Sequence, residues 1–424
     1  MNNIREIKNE ALGERYFEID HPSGLRIYVL PKEGYSSAYA VFGTRYGSVD
    51  TCFRLKGEEQ FTAVPEGIAH FLEHKLFESE ELDAFERYAK TGASANAYTS
   101  FDRTCYLFST SGDFDASFEI LLDFVQHPYF TAQTVQKEQG IIGQEIRMYQ
   151  DEPGWQLEFN LLRALYQKHP VRIDIAGTID SIAQIDDKLL YACYDRFYNL
   201  HNMALAVVGN VTVDQVLKTA DKLLKPCEKI EIERKFPEEP AQVGQKLVEQ
   251  KLSVAVPMFM LGYKQDCKTT ARPLGERIAM YTLLEAAAGE SSQLYHDLMT
   301  QGLISPGFGS EYFTGPGYAS VFFAGESTRP HEAAEVIRTA LTAIRKDGVD
   351  PDAFKRAKKL LYGREIMGYN DVDGLANNLI DAHLCGEQIF DRAEGYRNVT
   401  IEQVNRAAQV LDEEFSALSV ILPA

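Results

Sequence analysis

The chain has 424 residues, 45% of them hydrophobic and 25% charged. That is too long for one ordinary core and too apolar for disorder, so two or more globular domains are expected. A formal net charge of −19 opposes a phosphate backbone and argues against nucleic acid as a partner, and no run of about 18 apolar residues offers a membrane span.

The first elements read as strands: residues 25–30 alternate near period two, and residues 37–43 follow after a Gly-containing turn. A helix is predicted from near Pro65, whose fixed φ suits a first turn, with Ile68, Phe71, Leu72 and Leu76 at helical spacing. A small-residue strand (92–99) and the polar turn 100–103 lead back into a strand at 104–108. Helices are predicted at about 114–126, 131–150, 155–166 and 187–198, then a buried strand at 203–209 and its helix at 213–224. The pattern is α+β rather than strict βαβ alternation.

The charged, Pro-containing stretch at 225–245 reads as an interdomain linker. The expected division is therefore a first domain at 1–225, a linker at 226–245 and a second domain at 246–424. The second half reads as a weak copy of the first: a strand at 252–260, a helix at 273–288, a strand at 319–324, and helices at 331–346 and 351–369. The segments FTAQTVQKEQGIIGQEIRMYQD (130–151) and VDPDAFKRAKKLLYGREIMGYND (349–371) resemble one duplicated helix. The second half has no counterpart of the motif described next.

That motif is His70-Phe71-Leu72-Glu73-His74. Residues four apart on a helix lie one turn up the same face, so His70 and His74 can aim two imidazoles at one point, with Glu73 bordering it. Imidazoles of this kind suit Zn²⁺, and a glutamate beside the metal can take a proton from water. The order is that of the inverzincins. An ordinary amphipathic helix with two histidines is the competing reading. A catalytic zinc needs a third protein ligand, and the helix at 131–150 offers Glu138 and Glu145. Seven residues is two turns less about 20°, so the two acids face the same way. Spacing alone leaves open whether that face is a site or a solvated strip.

With those residues in view, the chain resembles the M16 (insulinase/pitrilysin/mitochondrial-processing) metallopeptidases, and within them the short bacterial M16B processing-peptidase branch. Glu145 lies 71 residues after His74, and Glu138 seven before it, as in that family's Glu-x6-Glu helix. The segment FYNLHNMALAVVGNV (197–211) matches a late strand of the family's first domain. The resemblance implies that His70, His74 and Glu145 ligate Zn²⁺, that Glu73 is the catalytic base, and that Glu138 supports the ligands. It also implies an α+β fold of two similar domains, each a largely antiparallel sheet with helices packed on one side.

Asn96, Ala97 and Thr99 match the family's Asn-Ala-x-Thr edge strand, implying that substrate backbone adds to it as an extra strand. A plain small-residue hairpin packed under a helix is the alternative. One departure bears on partners. Self-sufficient members carry an Arg and, four residues on, a Tyr that hold the substrate, whereas here Gln301 and Ser305 stand in the corresponding segment. The expectation is a zinc endopeptidase acting on unfolded peptides as the catalytic subunit of a heterodimer rather than a homodimer, with a second M16-like chain supplying the Arg/Tyr pair. A non-catalytic scaffold subunit, or a hydrolase acting on a non-peptide substrate, remains the alternative.

The N-terminal 20 residues carry charge throughout without an apolar core, which predicts a cytoplasmic protein. Six well-separated cysteines (Cys52, Cys105, Cys193, Cys227, Cys267, Cys385) read as free, mostly buried thiols.

Overall fold

The structure, a computed structural model, describes residues 2–265 and 272–424. In chain order its elements begin with β1 (Asn3–Asn9), β2 (Glu14–Asp20), β3 (Arg26–Pro31), β4 (Ala38–Thr44), β5 (Cys52–Leu55) and β6 (Thr62–Ala63). Then come α1 (Ile68–Leu76), α2 (Ala84–Thr91), β7 (Ser94–Thr99), β8 (Thr104–Thr110), α3 (Phe114–Phe124), α4 (Ala132–Gln150) and α5 (Pro153–Leu165). There follow α6 (Ile179–Ile182), α7 (Asp187–Phe197), β9 (Met203–Gly209), α8 (Val213–Leu223) and β10 (Ile232–Arg234). The later part of the chain holds β11 (Leu247–Leu252), β12 (Met258–Lys264), α9 (Leu274–Ala288), α10 (Gln293–Thr300), β13 (Gly309–Gly315) and β14 (Tyr318–Glu326). It ends with α11 (Pro330–Asp347), α12 (Pro351–Gly368), α13 (Val372–Cys385), α14 (Ile389–Asn398), α15 (Ile401–Ala407) and β15 (Ser416–Pro423).

These elements form two compact units, and neither is continuous in sequence. Unit 1 is Met1–Gln144, Asp174–Lys235 and Met367–Phe390; unit 2 is Glu145–Ile173, Phe236–Ile366 and Asp391–Ala424. Helix α4 runs unbroken through residues 144 and 145, where this division falls.

Unit 1 is built on a seven-stranded sheet in the order β1-β2-β3-β9-β4-β8-β7, antiparallel throughout except for the β3–β9 pair. Unit 2 has a five-stranded sheet, β11-β15-β12-β14-β13, whose only parallel pair is β11–β15. Removing β1 and β2 from the first sheet leaves the second in order and in strand direction, so the repeat seen in the sequence is a repeat of topology.

Alternation along the strands divides each sheet into two apolar faces. In unit 1, Tyr39, Val41, Ala204, Ala206 and Val208 turn to one face, where Leu375, Ala376, Leu379 and Ile380 of α13 cover them. In unit 2, Phe259, Leu261, Val321, Phe323 and Val420 meet Ile278, Leu283, Ile337 and Leu341 of α9 and α11. The other face of the unit 2 sheet takes α5, which packs along β11, β12 and β15. Two glycines record these approaches. A Cβ on Gly262 would lie 2.9 Å from both Leu161 Cδ2 and Leu165 Cδ1, and one on Gly43 would lie 3.2 Å from Ile380 Cγ2.

Several expectations needed correction. Two strands, β1 and β2, precede the first expected one; β1 is exposed and charged, which hides its period-two signal. The helix expected from Pro65 starts at Ile68, after Gly67 in a left-handed turn at φ 88°. The single strand expected at 252–260 is two strands, β11 and β12, parted by a turn region. The stretch 226–245 is not bare linker: its β10 pairs with β5. Farther along it, the Glu239 carboxylate accepts the backbone N–H groups of Gln167, Lys168 and His169 at 2.8, 2.7 and 2.8 Å. Of the cysteines, Cys105 and Cys193 are buried, Cys52 is half-buried, Cys227 and Cys385 are exposed, and none of these five is in a disulfide; Cys267 lies outside the described residues. Among the described residues no helix is long and apolar enough to cross a membrane.

Candidate metal centre

The site begins with how α1 is seated. Gly67, at its N-terminus, has φ 88°, and a Cβ there would lie 2.4 Å from the carbonyl oxygen of Ala176. Gly177, at φ 75°, approaches from the other side, where a Cβ would meet the Glu66 carbonyl oxygen at 2.5 Å. Ser181 Oγ donates to that same carbonyl at 2.9 Å. Two glycines pressed backbone to backbone thus fix where α1 starts and which way its faces turn. Ile68, Ala69, Phe71, Leu72 and Leu76 fill the core, leaving His70, Glu73 and His74 to set the chemistry.

His70 is buried, and burial first, with His74 beside it second, pushes its pKa down to about 3. The ring is therefore neutral near pH 7, the form that ligates a metal. The rings of His70 and His74 lie 4.5 Å apart, centroid to centroid, nearly edge to face. His74 Nδ1 is 2.9 Å from Glu138 Oε1, and Glu138 is only 6% exposed. A carboxylate there accepts the Nδ1 proton, which fixes the tautomer and leaves Nε2 as the donor to a metal. Glu145, half-buried on the next turns of α4, completes the group: ligand atoms of His70, His74 and Glu145 all lie within 4.8 Å of one another. Two imidazoles and one carboxylate converging at that spacing match the donor set of a catalytic zinc with three protein ligands and an open position. On α4, Ile142 and Ile146 are buried whereas Ile141 and Met148 are exposed.

Glu73 accepts a hydrogen bond from Thr99 Oγ1 at 2.6 Å. Nearby, the hydroxyls of Tyr106 and Tyr198 bond to each other at 2.8 Å. Burial raises both phenol pKa values, and the Glu73 carboxylate adds to the effect. Strand β7 is the end strand of the unit 1 sheet and pairs only with β8, with Asn96 opposite Leu107, Ala97 opposite Tyr106 and Thr99 opposite Thr104. Its far edge carries no strand among the described residues. Asn96 Oδ1 accepts from the Ala97 N–H at 2.9 Å, so this side chain folds back on its own strand.

The structure therefore brings His70, His74 and Glu145 together, joins Glu138 to them through His74, and links Glu73 to Thr99. Asn96 and Ala97 stand on the same edge strand. In unit 2, Gln301 ends α10 and its carbonyl accepts from Arg329 Nη2 at 2.6 Å, while the Ser305 N–H donates to the Glu326 carbonyl. The sequence reading missed the Gly67–Gly177 seat and the Thr99–Glu73 bond. Glycines flanking a motif helix were the available signal for the first; the second joins elements that only the folded chain brings together.

Residues 62–179 match the family model described as insulinase (peptidase family M16), and residues 184–361 match the one described as the peptidase M16 inactive domain. The chain is 39% identical over 421 residues to the uncharacterized zinc protease YmfH of Bacillus subtilis, covering 98% of this chain and 97% of that one. It is 27% identical to an uncharacterized zinc protease of Mycobacterium leprae, over 85% and 84% of the two chains. A crystal structure of an M16-like peptidase from Alicyclobacillus acidocaldarius superposes with a TM-score of 0.91 at 35% identity, covering 100% of this chain and 99% of that one. A Helicobacter pylori protease shares the fold at 19% identity with a TM-score of 0.82, each chain being covered in full.

Proposed function

The chain belongs to the M16 (insulinase) family of peptidases, and from that premise we propose that it is a zinc-dependent endopeptidase acting on unfolded peptides. The convergence of His70, His74 and Glu145 within 4.8 Å, with Glu73 on the same helix, carries this reading. A zinc ion held by those three ligands supplies Lewis acidity to water and to the scissile carbonyl. Glu73 takes the proton of the attacking water and returns it to the leaving amine, the task its place beside the ligands suits. Glu138 holds the His74 ring in one tautomer and one orientation. The free edge of β7 pairs with extended substrate backbone, a mode that grips unfolded chains with little demand on their side chains.

The expected experiment is Glu73→Gln. It should keep one zinc per chain by elemental analysis and lower cleavage of a mixed peptide library by roughly 10²- to 10⁴-fold, the usual contribution of a general base. Undiminished cleavage would reject the assignment. The same proposal makes this chain the catalytic half of a heterodimer in the cytoplasm. Gln301 and Ser305 stand where an Arg/Tyr pair is expected, so a second M16-like chain is proposed to supply it, and none of the five described cysteines is in a disulfide. The isolated chain should bind zinc and cleave poorly; vigorous cleavage by the chain alone would remove the partner from the proposal.

A further inference from the structure

We propose that Thr99 is a positioning residue for the catalytic carboxylate: it ties Glu73 to the edge strand β7, so that the strand accepting the substrate also sets where the base stands. The inference rests on the peptidase reading above and deepens it. Thr99 was expected to contact substrate, as part of an Asn-Ala-x-Thr edge. In the structure its hydroxyl turns instead to Glu73 Oε2 at 2.6 Å.

The proton inventory gives that bond a direction. Thr99 Oγ1 also lies 3.4 Å from Thr104 Oγ1, but the Thr104 hydroxyl donates to the Tyr46 carbonyl at 2.8 Å. Each hydroxyl has one proton. With Thr104's spent on Tyr46, Thr99's goes to Glu73, and an O–H···O distance of 2.6 Å is that of a bond to an ionised carboxylate. Thr99 and Thr104 face each other across the β7–β8 ladder, so the donor's own position is fixed by the sheet. The β-branched threonine is stiff about χ1, which suits it to hold another group still.

The consequence concerns register. A peptide added to the free edge of β7 is placed by hydrogen bonds to that strand's backbone. The base is anchored to the same strand one side chain away. The distance from the substrate backbone to Glu73 is then set by this side-chain bond to the strand together with the packing of α1 against the sheet. A displacement of about 1 Å at such a group is enough to cost roughly 100-fold in rate.

The test compares the full-length wild type with Thr99→Val and Thr99→Ser, in zinc-loaded crystal structures and in kinetics on a quenched fluorescent peptide library. Thr99→Val should keep one zinc per chain and an unchanged KM, lower kcat by roughly 10- to 100-fold, and show Glu73 shifted or in several rotamers. Thr99→Ser should restore the Glu73 position and most of kcat. A Val variant with Glu73 in the wild-type position, or one whose defect lies in KM with kcat intact, overturns the proposal. A wild-type chain that holds zinc yet cleaves nothing even when paired with an M16-like partner carrying the Arg/Tyr pair defeats the peptidase reading instead, and the crystallographic comparison still decides the placement of Glu73.

Discussion

The ladder β3-β9-β4-β8-β7 of unit 1 and the ladder β11-β15-β12-β14-β13 of unit 2 repeat one another strand for strand, while the helices around them carry opposite chemistry. Aligned on their shared Ile-Ala pairs, α1 places His70, Glu73 and His74 where α9 has Met280, Leu283 and Leu284, and those three are buried in the unit 2 core. Aligned on GQEIRMYQD and GREIMGYND, α4 places Glu138 and Glu145 where α12 has Lys358 and Glu365. Glu365 is thus the counterpart of Glu145, the proposed third ligand, but its neighbour is Arg392, with Nε 3.4 Å away. Lys358 donates to the Val399 carbonyl at 2.8 Å. The scaffold stands without a metal when apolar side chains fill the histidine positions and guanidinium replaces the cation. The polar group on α1 and α4 is therefore not what the repeated scaffold needs to stand; sites that break local packing rules in this way are the ones that carry function.

Substitutions can break or sharpen that contrast. The largest effect is expected at Glu145: Glu145→Gln should weaken zinc binding by more than about 100-fold, beyond what loss of a ligand's hydrogen-bond partner costs, in a competition titration against a chelator. If affinity holds, Glu145 is no more a ligand than Glu365 and the contrast fails. Next, Glu138→Gln should weaken zinc by roughly 10- to 100-fold through a loosened His74, with the protein still folded by circular dichroism.

A stability measurement addresses what the units share. Gly262→Ala should destabilise by about 1–3 kcal/mol, because the new methyl meets two leucine methyls at 2.9 Å in a packed interface. Gly43→Ala should cost less, since its contacts are 3.0 Å to Cys105 Sγ and 3.2 Å to Ile380; urea midpoints would show the order. The smallest effect belongs to Glu365. Burial raises its pKa above the glutamate value of 4.5, only partly offset by Arg392. The ionised form therefore costs stability above the raised pKa, and that cost fades as pH falls through it toward 4.5. Glu365→Gln should gain under about 1 kcal/mol at pH 7, lose that gain on acidification, and leave zinc stoichiometry untouched. A gain that persists at low pH would show that charge is not its source.

Much of the metal centre was legible because helix geometry makes it local. His70 and His74 four apart, and Glu138 and Glu145 seven apart, must each share a face on any helix; the choice of Glu145 as third ligand came from the family resemblance, and the meeting of α1 and α4 awaited the structure. The presence of the core strands was foreshadowed by period-two runs, and the repeat by the duplicated helix, but not the order of the strands in either sheet. Hydropathy says that a helix has an apolar face, not which sheet receives it. That is why nothing in the residues of α5 announced that they cover β11, β12 and β15, or in those of α13 that they cover β4 and β9. Strand β1 escaped notice because a charged edge strand is built to look unlike one, and the role of Thr99 because its partner is 26 residues away on another element.

The placement of α5 and α13 also decides how this chain can come into being. The sheet that carries β7 keeps Val41, Ala206 and Val208 uncovered until a helix more than 160 residues downstream of β9 has been synthesised, and the second sheet depends on a helix made long before its own strands. Contacts so distant along the chain are slow to form and leave apolar sheet exposed while they wait. A fragment ending after β10 would contain His70, Glu73, His74 and Glu145 but lack α13, and it should aggregate rather than yield a miniature of the protein.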